Sequence, residues 1–308
     1  MNSNIFRPIF FKSDSTTKTI TLRNEFYLNN NAPNQENMDV RYFSKGLSNF
    51  SSFNLSINTN YFIFMIEPFV KNDQFYKVQN IERFGVFSVL NDNSLSTIDD
   101  DTFRNLLAFI HYKGFGIGYH KGNRWWGPGI HTSLQMTNNT APMPSNIIGT
   151  IREIRFGPIG IFGFYSFTKM NEKHGFLAKY FTSLNAEFTW YGSANLSLGF
   201  SRNYLSGGVL SNNYEWTKKD AQRIIFEGIF TQNLLSKEYT IGGHDIWDQT
   251  LSGYLVITLP NRDIKAYAEV GFNDNRLYFA DFLSQKFLYY LISNLLKYVS
   301  VLFLRTIS

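Results

Sequence analysis

The sequence predicts an all-β chain, an antiparallel transmembrane β-barrel. Three observations carry that reading: strand-length segments whose apolar and polar residues alternate with a period of two, connections that are tight and long by turns, and an excess of aromatic residues. The 308 residues include 31 Phe and 18 Tyr against 5 Trp, so the rings need either an unusually aromatic core or a lipid-facing surface. A soluble sandwich with its apolar face inward gives the same alternation, and periodicity alone leaves it open.

The elements follow in order. Ile20, Leu22, Phe26 and Leu28 alternate with Thr19, Thr21, Arg23, Glu25 and Tyr27, and Asn29 to Glu36 is a polar, Asn-rich loop. Phe53, Leu55 and Ile57 form the next apolar face, and Asn58-Thr59-Asn60 turns into Tyr61 to Val70. That segment is nearly continuous in Phe, Ile and Met, so one of its faces is not simply wet. Asn91 to Asp101 is a polar loop, with Asp99 to Thr102 able to cap a short helix. From Phe103 the strand pattern returns. Phe115, Ile117 and Tyr119 alternate with Gly114, Gly116 and Gly118, and glycines along one side of a strand predict a crowded interior.

Arg152 to Phe156 and Ile159 to Thr168 read as a hairpin hinged at Gly157-Pro158. Strands around Leu184 to Thr189 and Asn195 to Ser201 are joined by Gly192-Ser193, and Ser206-Gly207-Gly208 opens a loop. Arg223 to Phe230, Leu251 to Leu259 and Ile264 to Asn273 are the remaining predicted strands, the last two joined by Asn261-Arg262-Asp263. About a dozen strands are present, each with one apolar, aromatic face and one polar face. Phe287 to Leu304 breaks the pattern: it is almost wholly apolar, lacks period two and has Lys297 as its charge, which predicts a helical tail. Residues 1–282 are thus expected to form an incomplete transmembrane barrel, and residues 283–308 an apolar segment outside it.

Composition excludes several chemistries. The formal net charge is +5 without a dense Lys/Arg run, which argues against nucleic acid as a partner. Cysteine is absent, removing disulfides, thiolate metal sites and Cys nucleophiles together. Met1 to Lys12 has one Arg and an apolar run broken by Pro8, unlike a secretory signal, which implies either an intracellular product or a missing start. Among His111, His120, His131, His174 and His244 no pair has metal-ligand spacing, so no metal or cofactor is expected. His120 and His131 flank a loop whose ligand they could touch. Glu269, Asp274 and Asp245 are candidates for a carboxylate pair. Together with Lys265 and Tyr267 they equally suit a polar barrel lumen, and no catalytic residue is assigned.

The segment that carries function is Arg124-Trp125-Trp126-Gly127-Pro128-Gly129, running on through Asn138-Asn139-Thr140-Ala141-Pro142 to Pro144. Its Pro and Gly content excludes a central strand, and adjacent indoles need a partner, so it reads as an ordered loop. Indole faces beside Arg124, Asn138 and Asn139 suit a sugar, whose C–H face packs on a ring while its hydroxyls take hydrogen bonds. Tryptophans at the membrane interface, or wedged into the lumen, are the other reading, and both remain open here.

These residues also resemble the signature of the Wzi-type capsule assembly proteins: WWGPG, a Ser-Leu step at Ser133-Leu134, an Asn-Ala-Pro segment, and a further Pro. The chain departs from it by placing Thr140 between Asn139 and Ala141. Leu198 to Arg202, Ser206-Gly207-Gly208, Asp245, and Tyr267-Ala268-Glu269 through Asp274 are similar to later landmarks, so the resemblance covers Phe103 to Asn275 best. It implies a bacterial outer-membrane barrel that binds capsular or exopolysaccharide in a lectin-like way, a monomer in contact with lipid, with no catalytic residue and no cofactor. It also implies a signal peptide and further strands, so this chain is expected to be a truncated or frame-shifted member. A general porin is the alternative function, and a soluble glycan-active sandwich enzyme a third.

Overall fold

The computed structural model describes residues 17–29, 39–41, 46–72, 102–130, 133–138, 142–170, 178–208, 216–226, 240–241, 244–245, 247–273 and 302–305. The strands are β1 (Thr17–Asn29), β2 (Gly46–Asn58), β3 (Phe62–Asn72), β4 (Phe103–Tyr112), β5 (Phe115–Gly122), β6 (Met143–Thr150), β7 (Ile154–Phe156) and β8 (Ile159–Lys169). They continue with β9 (Tyr180–Trp190), β10 (Asn195–Ser206), β11 (Thr240–Ile241), β12 (His244–Asp245), β13 (Trp247–Leu259), β14 (Ile264–Asn273) and β15 (Leu302–Arg305). One 13-stranded sheet runs β1-β2-β3-β4-β5-β6-β8-β9-β10-β13-β14-β15, with β7 beside β8, and its pairings are antiparallel. Among the described residues β1 and β15 do not pair with each other, so this is the wall of an open, incomplete barrel. The pair β11–β12 stands apart.

The two ends of the wall differ. At one end the connections are tight, as at residues 59–61 and 260–263. Lys113 and Gly114, with φ of 49° and 93°, make a two-residue turn whose positive angles match the twist of a hairpin. At the other end lie the long connections, including residues 30–45, 123–142 and 207–246.

The burial pattern is inverted relative to a water-soluble protein. Ile20, Leu22, Phe26 and Leu28 stand exposed on β1, Leu22 at 78%, and Ile110, Ile117 and Leu198 do so further round. On the opposite face Ser52, Ser56, Thr168, Ser183 and Ser252 are buried. Leaving so much apolar surface in water forfeits about 25 cal/mol per Å². An aliphatic and aromatic face turned outward around a hydroxyl-rich one suits lipid outside and a lumen within, which decides against the sandwich.

The inner face is not polar throughout. Ile63, Met65, Leu107, Phe109, Ile147, Phe162, Phe164 and Phe181 form an apolar patch on β3 to β9. The glycines of β5 explain part of this crowding: a Cβ on Gly118 would come 2.6 Å from Cδ2 of Phe109 on β4.

Two predicted elements differ. The strand expected from Arg223 is instead the end of a helix, α1 (Lys218–Arg223), continued by a 3-10 turn at Ile224–Phe226; residues 227–230 lie outside the described residues. Local chemistry decides it. Thr217 accepts from the Asp220 N–H while Asp220 accepts from the Thr217 N–H at 2.9 Å, a capping box that a strand cannot form. Ala221, Ile224 and Ile225 then pack on the outer face of the wall against Phe167, Tyr180, Tyr204 and Trp247. Thr182 donates to the Ala221 carbonyl at 2.8 Å. In the expected helical tail, Leu302–Arg305 is strand, paired with β14 from Ile264 to Tyr267, where it satisfies an edge otherwise left open. The remainder of residues 283–308 lies outside the described residues, as does the Asp99 cap.

Candidate functional site

The long connection between β5 and β6 folds back into the concavity of the wall. Its own bonds shape it first. The Trp126 N–H donates to the Met136 carbonyl at 3.1 Å, Ser133 Oγ donates to the Trp126 carbonyl, and the Trp125 indole N–H donates to the Gly129 carbonyl at 2.8 Å. Gly127 makes the turn possible at φ 130°; a Cβ there would sit 2.5 Å from Ser133 Oγ and 2.7 Å from Glu269 Oε1.

The wall then holds the loop from several sides. The Trp126 ring lies parallel to Phe181, with centroids 6.2 Å apart and 9° between planes, and tilted to Phe164 at 5.8 Å. Across the lumen the Leu134 N–H donates to Glu269 Oε2 on β14 at 3.4 Å. Gln135 Oε1 accepts from Asn203 Nδ2 on β10 and from Thr250 Oγ1 on β13 at 2.9 Å. The Asn138 carbonyl accepts from the Asp39 N–H at 2.8 Å. Each bond contributes about 0.5–1.5 kcal/mol. Together with two indoles removed from water they make residues 123–130 and 133–138 an internal plug.

Asp39 belongs to a buried ionic network. Arg104 on β4 donates to Asp39 Oδ2 at 3.0 Å and to Glu67 Oε1 at 2.9 Å. Ser52 Oγ and Asn105 Nδ2 also donate to Glu67, each at 2.9 Å, and Asn54 Nδ2 does so at 3.4 Å. A carboxylate on the inner face of a largely apolar strand is thereby paired and hydrogen-bonded, the condition for burying it.

Arg124 has a different setting. It is 3% exposed, donates from Nε to His120 Nδ1 at 3.2 Å and from Nη1 to Ser166 Oγ at 3.3 Å, and stacks its guanidinium 5.8 Å from the Trp126 ring. No carboxylate pairs with it among the described residues, and burial pushes its pKa down to about 10, still cationic at neutral pH. Beside it opens a pocket on the concave face of the wall. Trp125, Trp126 and Phe162 supply apolar lining, and Asn185, Ser201 and Ser252 polar lining.

The structure thus brings Arg124, Trp125, Trp126, Gly127, Pro128 and Gly129 together, Pro128 fully buried and Pro142 buried just before β6. Asn138 contributes its carbonyl. Lys265, Tyr267 and Glu269 share the inner face of β14, where Glu269 meets the plug. Asp245 lies in β12, outside the large sheet. Asn139, Asp274 and His131 lie outside the described residues. Phe164, Phe181, Gln135, Asn203, Asp39 and Arg104 complete the site without having been singled out by motif. Glu67, a carboxylate in an apolar run, was the one visible signal.

An antiparallel wall that is apolar outside and hydroxyl-rich inside, with an aromatic loop folded into it, is the construction of a plugged outer-membrane β-barrel. The family model described as Capsule assembly protein Wzi matches residues 10–238, and the chain belongs to that family of outer-membrane capsule assembly proteins. No curated protein matches the chain. The match takes in the first hundred residues, which the motifs covered only loosely, and ends before Asp245, Lys265, Tyr267 and Glu269.

Proposed function

We propose that the chain sits in the bacterial outer membrane as a monomer in contact with lipid and binds capsular or exopolysaccharide, organising it at the cell surface in a lectin-like way. The observation that carries this is the cavity beside the plug, where indole and phenyl rings lie next to amide and hydroxyl groups, the pairing of surfaces that a sugar needs. Membership of a capsule assembly family supports the polymer as partner, and with it a binding role rather than catalysis.

The test is a titration of acidic capsular polysaccharide against detergent-folded wild type, Trp125→Ala and Trp126→Ala. Binding that weakens in the variants agrees with the proposal. Equal binding by all three removes the glycan role of this loop.

A general porin is the second reading, favoured by the buried Ser, Thr and Asn of the inner face. The plug across the lumen speaks against it. Conductance in planar bilayers separates the two: a steady open channel in wild type supports the porin, and silence the plugged binder.

A further inference from the structure

We infer that the cavity beside the plug is an anion-recognising subsite that takes a carboxylate-bearing sugar, a uronic acid, with Arg124 as its cationic partner. This deepens the glycan-binding reading and rests on it.

Three observations meet in one place. The first is an uncompensated cation: Arg124 Nη2 is buried without a protein acceptor among the described residues, while its other nitrogens are engaged by a ring nitrogen and a hydroxyl, both neutral acceptors. A buried guanidinium without a counter-charge is costly, whereas its pairing with a carboxylate is among the stronger polar contacts available to a protein. The second is the surrounding set of groups. Asn185 Nδ2, Ser201 Oγ and Ser252 Oγ, on three neighbouring strands whose residues line the same cavity, are also buried without partners. They add an amide donor and two hydroxyls, which suit the oxygens of a carboxylate and of adjacent sugar hydroxyls. The third is that the carboxylate among the lining residues, Glu187, is engaged: Tyr254 passes over Gly199 and donates its hydroxyl to Glu187 Oε2 at 2.5 Å. Arg124 therefore keeps no carboxylate partner among the described residues. Trp125 and Trp126 supply the faces for the sugar ring.

The experiment uses the full chain folded in detergent, titrated with sodium glucuronate, glucose and sodium chloride at matched ionic strength, with tryptophan fluorescence as the readout. Glucuronate is expected to give a saturable change at concentrations about tenfold below glucose, because a hydrogen bond between two charged groups is stronger than one to a neutral hydroxyl. Arg124→Gln is expected to abolish that preference and Arg124→Lys to keep part of it, folding of each being checked by the heat-dependent gel shift of barrels. Equal responses to glucuronate and glucose, a preference that survives Arg124→Gln, or the same response to chloride would overturn the inference. Comparing native and carboxyl-reduced polysaccharide separates it from the parent reading. Equal binding of both polymers sinks the subsite and leaves the glycan reading standing. A glucuronate response without polymer binding supports the subsite and sinks the parent.

Discussion

Arg104 and Asp39, 65 residues apart in the chain, are joined by two hydrogen bonds from the guanidinium to a single carboxylate oxygen, at 3.0 and 3.1 Å. Through the Asp39 N–H the same contact reaches Asn138 of the plug. A strand of the wall, a segment between β1 and β2 and the loop inside the lumen are therefore mechanically one piece.

Replacing Arg104 with Met is expected to strip buried Glu67 of its cation and to leave Asp39 with Arg41 alone. Breaking such a pair costs about 3–5 kcal/mol. Urea titration of the folded barrel in detergent or bilayers should show that loss, and the double variant Arg104→Met/Glu67→Gln should recover part of it. An unchanged midpoint in Arg104→Met would show that the network is not holding the wall.

Trp126→Ala removes the ring that docks on Phe164 and Phe181. Truncating a buried aromatic costs about 3–5 kcal/mol, but here the loss is expected to fall mainly on the plug, because the ladders of β8 and β9 do not depend on this ring. Protease sensitivity within residues 123–142 should rise while the heat-dependent gel shift of the wall persists. Parallel loss of both would mean that wall and plug unfold together.

Gly127→Val meets two obstacles, a φ of 130° that β-branched residues avoid and the nearby oxygens of Ser133 and Glu269. The expected result is a displaced plug and a drop in stability of about 1–3 kcal/mol. Gly157→Ala serves as the control: its φ is 59° and nothing lies within 4 Å of a Cβ there, so it should cost less.

Leu22→Lys places a charge in the middle of the outward face of β1. In a bilayer this is expected to cost about 2–4 kcal/mol, and in water it would be nearly neutral or favourable. Comparing folding yield in vesicles with that of Leu22→Ala checks it. Lysine tolerated as well as alanine would mean that this face does not meet lipid.

The strands were legible because alternation is local: Ile20 to Leu28 and Ile264 to Asn273 announce their two faces within a few residues. The tight ends at Gly157-Pro158 and Asn261-Arg262-Asp263 were legible for the same reason, since turn chemistry sits in adjacent positions, whereas Gly114, read as part of a strand, makes a turn with Lys113. What failed was the stretch at Arg223. Ile224 and Ile225 are equally apolar in a strand or a helix, and the deciding pair, Thr217 and Asp220, lies upstream of the hydrophobic run. The plug was visible as an ordered aromatic loop, but its direction was not. Only the tertiary partners Phe181, Asn203, Thr250 and Glu269 turn it inward, and none bears a mark in sequence that pairs it with Trp126 or Gln135. The early strands escaped motif comparison because Ile, Leu and Phe are interchangeable on a lipid face, while the WWGPG loop is not.

The outward apolar face of the wall constrains how this gene can change length. Deleting one codon within β2 would send Phe53, Leu55 and Ile57 into the lumen and Ser52 and Ser56 toward lipid, reversing one end of the strand relative to the other. Two codons at a time would keep the phase, and the long connections at residues 30–45 or 207–246 carry no such parity. Length variation among relatives should therefore gather at that rim, while the strands change by substitution alone.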